Sequence, residues 1–172
     1  MKPNIQPTAH ELIMRDDDII VTKTDSKGRI TYCNRTFIEF SGYTENELLG
    51  RQHNIVRHPD MPRAVFKLLW DTIQTGEEFN GYVKNLHKDG GFYWVFANIT
   101  PSQDASGQLL GFYSVRRKPR PAALEIIIPL YQEMLAVEKQ AGTRQGVEAA
   151  SDILQARIEQ QHTDYGRFIF SI

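Results

Sequence analysis

The feature that most constrains the fold is a pair of strand patterns joined by a short segment rich in turn residues. The patterns cover residues 79–87 and 92–100, and both are enriched in aromatic and β-branched side chains. The segment between them, Lys88-Asp89-Gly90-Gly91, has the composition of a hairpin turn. Strands joined by so short a turn are antiparallel neighbours. The sequence therefore predicts a domain built around an antiparallel sheet.

Three further stretches complete the predicted sheet. Residues 19–24 and 29–33 have strand patterns on either side of the turn sequence 25–28, and residues 109–115 have the last strand pattern. The order of strands and helices is typical of the α+β class. We predict one five-stranded antiparallel sheet with short helices on one face, followed by a C-terminal helical segment.

Helical signals lie between the second and third strands and again near the end of the chain. Asn34 can cap one short helix, and Thr44 with Glu47 forms a capping box for the next. Apolar residues at helical spacing predict a longer helix over 62–76. Two amphipathic helices are predicted after residue 118, with a break at 141–146.

The stretch of residues 54–62, NIVRHPDMP, is the most concentrated group of candidate site residues. Pro59 and Pro62 each fix φ and disfavour helix at the preceding residue, which predicts an irregular loop with a restricted backbone. Arg57, His58 and Asp60 would then project in fixed directions, as a binding site requires. The alternative is that Arg57 pairs with Asp60 and that His58 caps the following helix.

Composition excludes several classes of function. The 172 residues include 20 basic and 21 acidic side chains, so the chain lacks the basic excess of a nucleic-acid-binding protein. A single cysteine, Cys33, cannot form an internal disulfide, which fits a reducing compartment, and we expect a cytoplasmic protein. No export signal or membrane-spanning stretch is present, so no direct membrane insertion is expected. No catalytic constellation is recognisable, and we expect no enzyme activity.

Two groups of motifs identify a family resemblance that covers about residues 8–120. The first group resembles the signature of PAS sensor domains: Asp25, Gly28, Ile30, Asn34, Phe37, Ser41-Gly42-Tyr43, Glu47-Leu48 and Gly50. The second group resembles the flavin-binding PAS domain of bacterial aerotaxis receptors: residues 54–62, the helix that contains Trp70, Asn85, Lys88-Asp89-Gly90 and Phe92-Tyr93-Trp94. Each motif occurs in its expected structural context.

The resemblance implies a sensor that holds FAD non-covalently and passes on the flavin redox state as a conformational signal, without turning over a substrate. The family's flavin-affecting positions correspond here to Asn34, Arg57, His58, Asp60, Trp70 and Asn85. Receptors of this family continue into a membrane anchor and a signalling bundle, and this sequence has neither. The resemblance therefore implies either an excised sensor or a stand-alone one.

The residue types suit these roles. Asn85 could bind both sides of the flavin imide, and Trp70 offers an aromatic contact surface. Arg57 could bind the diphosphate or the negative charge of a reduced flavin, His58 could couple proton uptake to electron uptake, and Asp60 would orient one of these two. The alternatives are plain core packing for Trp70 and a solvent-facing position for Asn85.

Two rival functions stay open for this sequence, and a third is excluded. A haem sensor would use His53 or His58 as a ligand. A photoreceptor that forms a cysteine adduct is rejected, because residues 50–62 contain no cysteine. A ligand-free PAS domain would serve only for dimerisation.

The domain organisation predicted from these patterns has three parts. Residues 1–18 form an N-terminal cap, residues 19–118 the PAS sensor domain, and residues 119–172 a helical output or dimerisation segment. We expect a homo-oligomer, and the downstream signalling partner is left open. The alternative for residues 119–172 is a lid on the sheet of the same chain.

Overall fold

A computed structural model describes residues 5–172, so the first four residues of the predicted N-terminal cap lie outside the described part. The elements in chain order are β1 (Ile20–Asp25), β2 (Ile30–Cys33), α1 (Arg35–Ser41), α2 (Glu45–Leu48), a 3₁₀ helix (His53–Val56), α3 (Arg63–Gln74), β3 (Phe79–Leu86), β4 (Phe92–Gln103), β5 (Leu109–Arg117), α4 (Pro121–Gln140), α5 (Thr143–Gln160) and α6 (Tyr165–Ser171).

The chain divides into two compact units. The first contains residues 5–58 and 72–118, and the second contains residues 59–71 and 119–172. Helix α3 contributes its first nine residues to the second unit and its last three to the first. The predicted division into cap, sensor domain and output segment is a functional one and stays a prediction.

The first unit is built on one five-stranded sheet with the order β2-β1-β5-β4-β3. Each neighbouring pair of strands is antiparallel. The hairpin between β3 and β4 has the predicted position, with Leu86 paired to Phe92. The predicted α+β fold class is therefore confirmed. Strand β5 continues to Arg117, two residues beyond the predicted end.

Strand register decides which side chains share a face of this sheet. Asn85 pairs with Tyr93, and Thr22 pairs with Ser114. Because side chains alternate along a strand, the register of β4 with β5 puts Arg116 on the same face as these four residues. We call this face the inner face.

Helix α1 lies against the inner face. The ring of Phe37 lies 5.5 Å from the guanidinium carbon of Arg116, and the ring centroids of Phe40 and Tyr93 are 5.4 Å apart. The helix begins at its predicted cap, since the Asn34 side chain accepts a hydrogen bond from the Phe37 amide. One apolar edge of α1 therefore covers polar strand residues.

The segment before β1 runs beside the hairpin. The Thr8 amide donates to the Gly90 carbonyl and the Leu12 amide donates to the Phe92 carbonyl, each at 2.8 Å. These carbonyls belong to the turn before β4 and to its first residue, where β5 does not reach, because β5 pairs with β4 only from Phe96 onward. The N-terminal segment thus provides hydrogen-bond partners for backbone groups at this end of the sheet.

The second unit consists of most of α3 together with α4, α5 and α6. The predicted break at 141–146 is shorter in the structure, because α5 already begins at Thr143. Gly146 lies inside this helix, where an added Cβ would stand 2.8 Å from the Glu138 carbonyl oxygen of α4. The glycine thus serves close helix packing and does not end a helix. Among residues 5–172, no helix combines the length and the apolar character that a bilayer crossing requires.

Candidate functional site

The 54–62 stretch begins in a 3₁₀ turn, has extended backbone at Arg57 and continues into a turn at Pro59 and Asp60. The turn covers His53–Val56, and Arg57 has φ −69° and ψ 122°. An isolated antiparallel bridge pairs Arg57 with Asn85 of β3. The prediction that the two prolines prevent a continuous helix is confirmed. The backbone bridge holds two of the predicted site residues side by side.

His58 and Asn85 are both buried, with 2% and 4% of their surfaces exposed. The His58 ring centroid lies 6.0 Å from that of Phe92, in an edge-on arrangement. The Asn85 amide nitrogen has no hydrogen-bond partner among the described residues. The alternative of a solvent-facing Asn85 is therefore wrong. Burial of an amide without a partner is costly, which makes this nitrogen a candidate ligand contact.

Asn34 uses both the oxygen and the nitrogen of its side-chain amide in hydrogen bonds to the backbone. Its Oδ1 accepts from the amides of Val21 at 3.0 Å and Phe37 at 3.1 Å, and its Nδ2 donates to the Ile19 carbonyl at 2.8 Å. Asn34 thus joins β1 to the start of α1. An effect of Asn34 on a cofactor would act through the position of α1, and its cofactor-binding assignment stays a prediction.

Asp60 and Trp70 belong to the second unit. Asp60 is exposed, and Trp70 is partly buried on α3. Arg57, His58 and Asn85 belong to the first unit. Of the six predicted residues, the structure therefore brings these three together, while the roles of Asp60 and Trp70 stay predictions.

A polar network that sequence reasoning missed lies on the inner face. One guanidinium nitrogen of Arg116, Nη2, lies 3.1 Å from Thr22 Oγ1 and 2.7 Å from His53 Nε2. Thr22 Oγ1 is itself 3.1 Å from His53 Nε2. Because a guanidinium only donates, His53 Nε2 accepts, and the proton of the imidazole is on Nδ1. His53 is therefore neutral in this arrangement.

Burial shifts the pKa of each of these groups toward its neutral form. Burial, followed by the nearby charge of Arg116, holds the pKa of His53 well below its ordinary value. Burial lowers the pKa of Arg116 to about 10, so the guanidinium is still charged at neutral pH. Burial raises the pKa of Tyr93 above its usual range, although the Arg116 charge opposes this. The network thus holds one positive charge among neutral neighbours.

Four buried polar atoms of the inner face have no hydrogen-bond partner among the described residues. They are Asn85 Nδ2, Tyr93 OH, Ser114 Oγ and Arg116 Nη1. The first and last can only donate, and the two hydroxyls can donate or accept. Most buried polar groups are paired, so a group of this kind calls for a bound molecule or water. The matching molecule would present hydrogen-bond acceptors along its edge.

The sequence of this region also matches a family model, described as PAS fold, over residues 30–116. The matched stretch runs from the start of β2 to Arg116 and includes the 54–62 stretch and the whole β3–β4 hairpin. The chain belongs to the PAS family.

Two relatives are similar in sequence to this chain. The aerotaxis receptor of Escherichia coli K12 is 42% identical over 123 residues, which are 72% of this chain and 24% of the receptor. A nitrogen fixation regulatory protein of Klebsiella pneumoniae is 28% identical over 99 residues, or 58% of this chain and 20% of that protein. The resemblance to the aerotaxis-receptor type of PAS domain is confirmed. The chain spans about a quarter or less of the length of these relatives.

Solved structures share the fold. A light-oxygen-voltage domain studied with a flavin analogue superposes with a TM-score of 0.57 at 20% identity, covering 64% of this chain and 83% of that one. The light-state structure of the blue-light photoreceptor Aureochrome1 LOV has a TM-score of 0.56 at 22% identity, covering 66% and 90%. At these identities the likeness concerns the fold alone.

The sequence contains a weak signal for Ser114 and Arg116, two inner-face residues that were not predicted as site residues. Ser114 and Arg116 occupy alternate positions of β5, on the same face of the sheet as Phe112. A polar residue at an inward strand position is a signal for a buried site. The predicted strand contained Ser114 but ended at residue 115, so it left out Arg116, the charged residue of the two.

Proposed function

We propose that this PAS domain is a cytoplasmic redox or oxygen sensor that binds FAD non-covalently and transmits the flavin redox state as a conformational signal. The observation that carries the proposal is the set of four buried polar atoms on the inner face without partners. The 42% identity of the chain to the aerotaxis receptor of Escherichia coli supports the signalling role.

The chemistry of these four groups fits a flavin. The isoalloxazine ring has two carbonyl oxygens and unprotonated ring nitrogens along one side, and these accept hydrogen bonds. The inner face offers two obligatory donors, Asn85 Nδ2 and Arg116 Nη1, and two hydroxyls. A porphyrin face offers no comparable row of acceptors. The haem alternative also meets an obstacle at one of its two candidate ligands, since His53 Nε2 already contacts Arg116.

Three residues of the first unit have distinct proposed roles. Asn85 would bind the imide edge of the ring, because its side chain has an acceptor oxygen and a donor nitrogen on the same carbon atom. Arg57, fixed beside Asn85 through the backbone bridge, would bind the diphosphate. His58 would take up or release a proton near neutral pH. When bound, the flavin would supply reversible electron uptake, which none of these side chains provides.

The decisive experiment is an ultraviolet-visible spectrum of the purified protein, followed by extraction and mass spectrometry of the ligand. We expect a flavin spectrum and the mass of FAD, whereas the mass of FMN would correct the choice of flavin. At a hundredfold excess over its dissociation constant, FAD should stabilise the folded protein by about 2.7 kcal/mol in a thermal melt. A Soret band would establish haem instead. No ligand and no shift with added FAD would support a ligand-free interaction domain.

We further propose that residues 119–172 form an output or dimerisation segment of a homo-oligomer. Helices α4 and α5 each have a buried apolar seam and a long exposed side. In the intact chain, a charged substitution at an exposed apolar position of α4, Ile126→Glu, should reduce the oligomeric mass in sedimentation equilibrium and leave FAD binding in place. An unchanged mass together with loss of FAD would support the alternative of a lid.

A further inference from the structure

Arg116 is a buried positive charge for which the described residues provide no carboxylate. Its side chain is 4% exposed. One arm of the guanidinium contacts two neutral groups, Thr22 Oγ1 at 3.1 Å and His53 Nε2 at 2.7 Å. The other arm, Nη1, is buried without a hydrogen-bond partner among residues 5–172. The centroid of the Phe37 ring lies 5.5 Å from the guanidinium carbon.

No titratable neighbour on this face can provide the missing negative charge. His53 is neutral because its Nε2 accepts from the guanidinium. Tyr93 stays protonated because burial raises its pKa. A buried ion without a counter-charge is unfavourable, so such an arrangement is usually completed by an anion. Because Nη1 lies on the inner face, a molecule bound there would have to supply the negative charge.

We propose that Arg116 is the charge that makes the site bind the reduced flavin ring more tightly than the oxidised ring. This inference rests on the proposed function. The oxidised ring is neutral, and each electron that it accepts from an external one-electron donor without a proton adds one negative charge. That negative charge would lie near a guanidinium that folding has already removed from water. Arg116 would therefore attract the reduced ring more strongly than the neutral oxidised ring. Arg116 is thereby a specificity-determining residue for the redox state of the ligand.

The diphosphate of FAD is the other possible anion. The position of Arg116 on the same face as Asn85, Tyr93 and Ser114 favours the ring. The two cases differ in a measurable way. A contact with the diphosphate would be equally strong in both redox states and would be lost with riboflavin, which has no phosphate.

The test measures the midpoint potential of bound FAD and the dissociation constant of oxidised FAD by fluorescence quenching. Arg116→Gln removes the charge, and Thr22→Asp keeps Arg116 but puts a carboxylate at the distance now held by the threonine hydroxyl. Both should reduce the preference for the reduced ring at least tenfold, which corresponds to 59 mV in a one-electron couple. Arg116→Lys should keep most of the preference. Arg117→Gln, an exposed arginine one position along β5, is the matched control.

Each possible result supports or overturns the inference about Arg116. If Arg116→Gln leaves the preference for the reduced ring within twofold of the parent, Arg116 does not discriminate between the redox states. If Arg116→Gln does not fold, the same result with Thr22→Asp leads to the same conclusion. Equal weakening of oxidised and reduced FAD, with riboflavin binding unchanged, would assign Arg116 to the diphosphate and overturn the inference. Absence of flavin from the parent protein would overturn the proposed function as well. Normal flavin binding with an unmoved potential would overturn the inference alone.

Discussion

At the scale of single residues, Arg57 and Arg116 divide the positive charge of the site between two environments. Arg57 is partly buried in extended chain beside Asn85, whereas Arg116 is buried within the sheet. A guanidinium cannot lose its proton at neutral pH, so each needs acceptors. The proposed assignment gives the diphosphate to Arg57 and the ring to Arg116, and the two roles predict different results on substitution.

Arg57→Ala is expected to weaken binding of oxidised FAD about ten- to a hundredfold, because charge-assisted hydrogen bonds worth about 1.5–3 kcal/mol are lost. Arg57→Lys keeps the charge without the bidentate geometry and should restore part of the affinity. Arg51→Ala, at an exposed arginine that precedes the 3₁₀ turn, is the control. Titration with fluorescence quenching measures all three. An Arg57→Ala affinity within twofold of the parent would show that Arg57 does not contact the cofactor.

His53 predicts a pH dependence of stability. Its pKa in the folded protein is held well below the ordinary value by burial and by the Arg116 charge, whereas the unfolded chain titrates near the reference pKa of about 6.5. Between these two values the unfolded state binds one more proton than the folded state. The free energy of unfolding therefore falls as the pH drops below about 6.5, by up to about 1.4 kcal/mol per pH unit.

Urea unfolding between about pH 5 and pH 7 measures this slope, in the range where the histidine reference value applies. His53→Gln keeps an acceptor for Arg116 but does not titrate, so its stability should depend less steeply on pH. His10→Gln, at an exposed position, should follow the parent. Parallel pH curves for the parent and His53→Gln would contradict the assignment of a neutral buried imidazole.

At the scale of secondary-structure elements, α3 begins in an unusual way. The residue before it, Pro62, has no side-chain acceptor that could cap the helix. The acceptors come from Glu138 of α4, whose Oε1 accepts from the Ala64 amide at 2.9 Å and whose Oε2 accepts from the Arg63 amide at 3.0 Å. Arg63 Nε also donates to Oε2, at 3.1 Å. One buried carboxylate thus caps a helix and pairs with its first side chain.

Glu138→Ala is expected to destabilise the protein by about 3 kcal/mol, because two helix-terminal amides and a partly buried arginine lose their acceptor. Glu138→Gln keeps one acceptor oxygen and should cost about half as much by the same reasoning. Glu133→Gln, which removes an exposed ion pair with Arg157 at 3.8 Å, should change stability by about 0.5 kcal/mol or less. Chemical denaturation compares the three variants. If Glu138→Ala were as stable as Glu133→Gln, the cap would have no energetic role.

The features predicted from the sequence are those whose signals lie close together in the chain. The Asn34 cap, the Thr44–Glu47 capping box and the β3–β4 hairpin each depend on residues a few positions apart, and all three are present. The Glu138 cap joins residues 75 positions apart, and the Arg116–Thr22 contact joins residues 94 apart. Such contacts depend on strand register and helix packing, which local patterns do not determine.

At the scale of the whole molecule, the chain passes between its two units three times, after residues 58, 71 and 118. The second of these passages occurs inside α3, so one continuous helix is shared. Unfolding of either unit would remove hydrogen bonds from a helix that the other unit also needs, and a helix of 12 residues is not stable alone. The shared helix therefore predicts that the two units unfold together.

The two tryptophans of the chain allow a direct test, because Trp94 lies in the first unit and Trp70 in the second. Trp70→Phe leaves Trp94 as the only indole, and Trp94→Phe leaves Trp70. In each variant, without flavin, the fluorescence transition in urea should coincide with the loss of far-ultraviolet circular dichroism, as two-state unfolding requires. Comparison within one variant removes the effect of the substitution on stability. If Trp70 fluorescence changed at a lower urea concentration than the circular dichroism of the same variant, the second unit would unfold independently, and the continuity of α3 would not couple the two units.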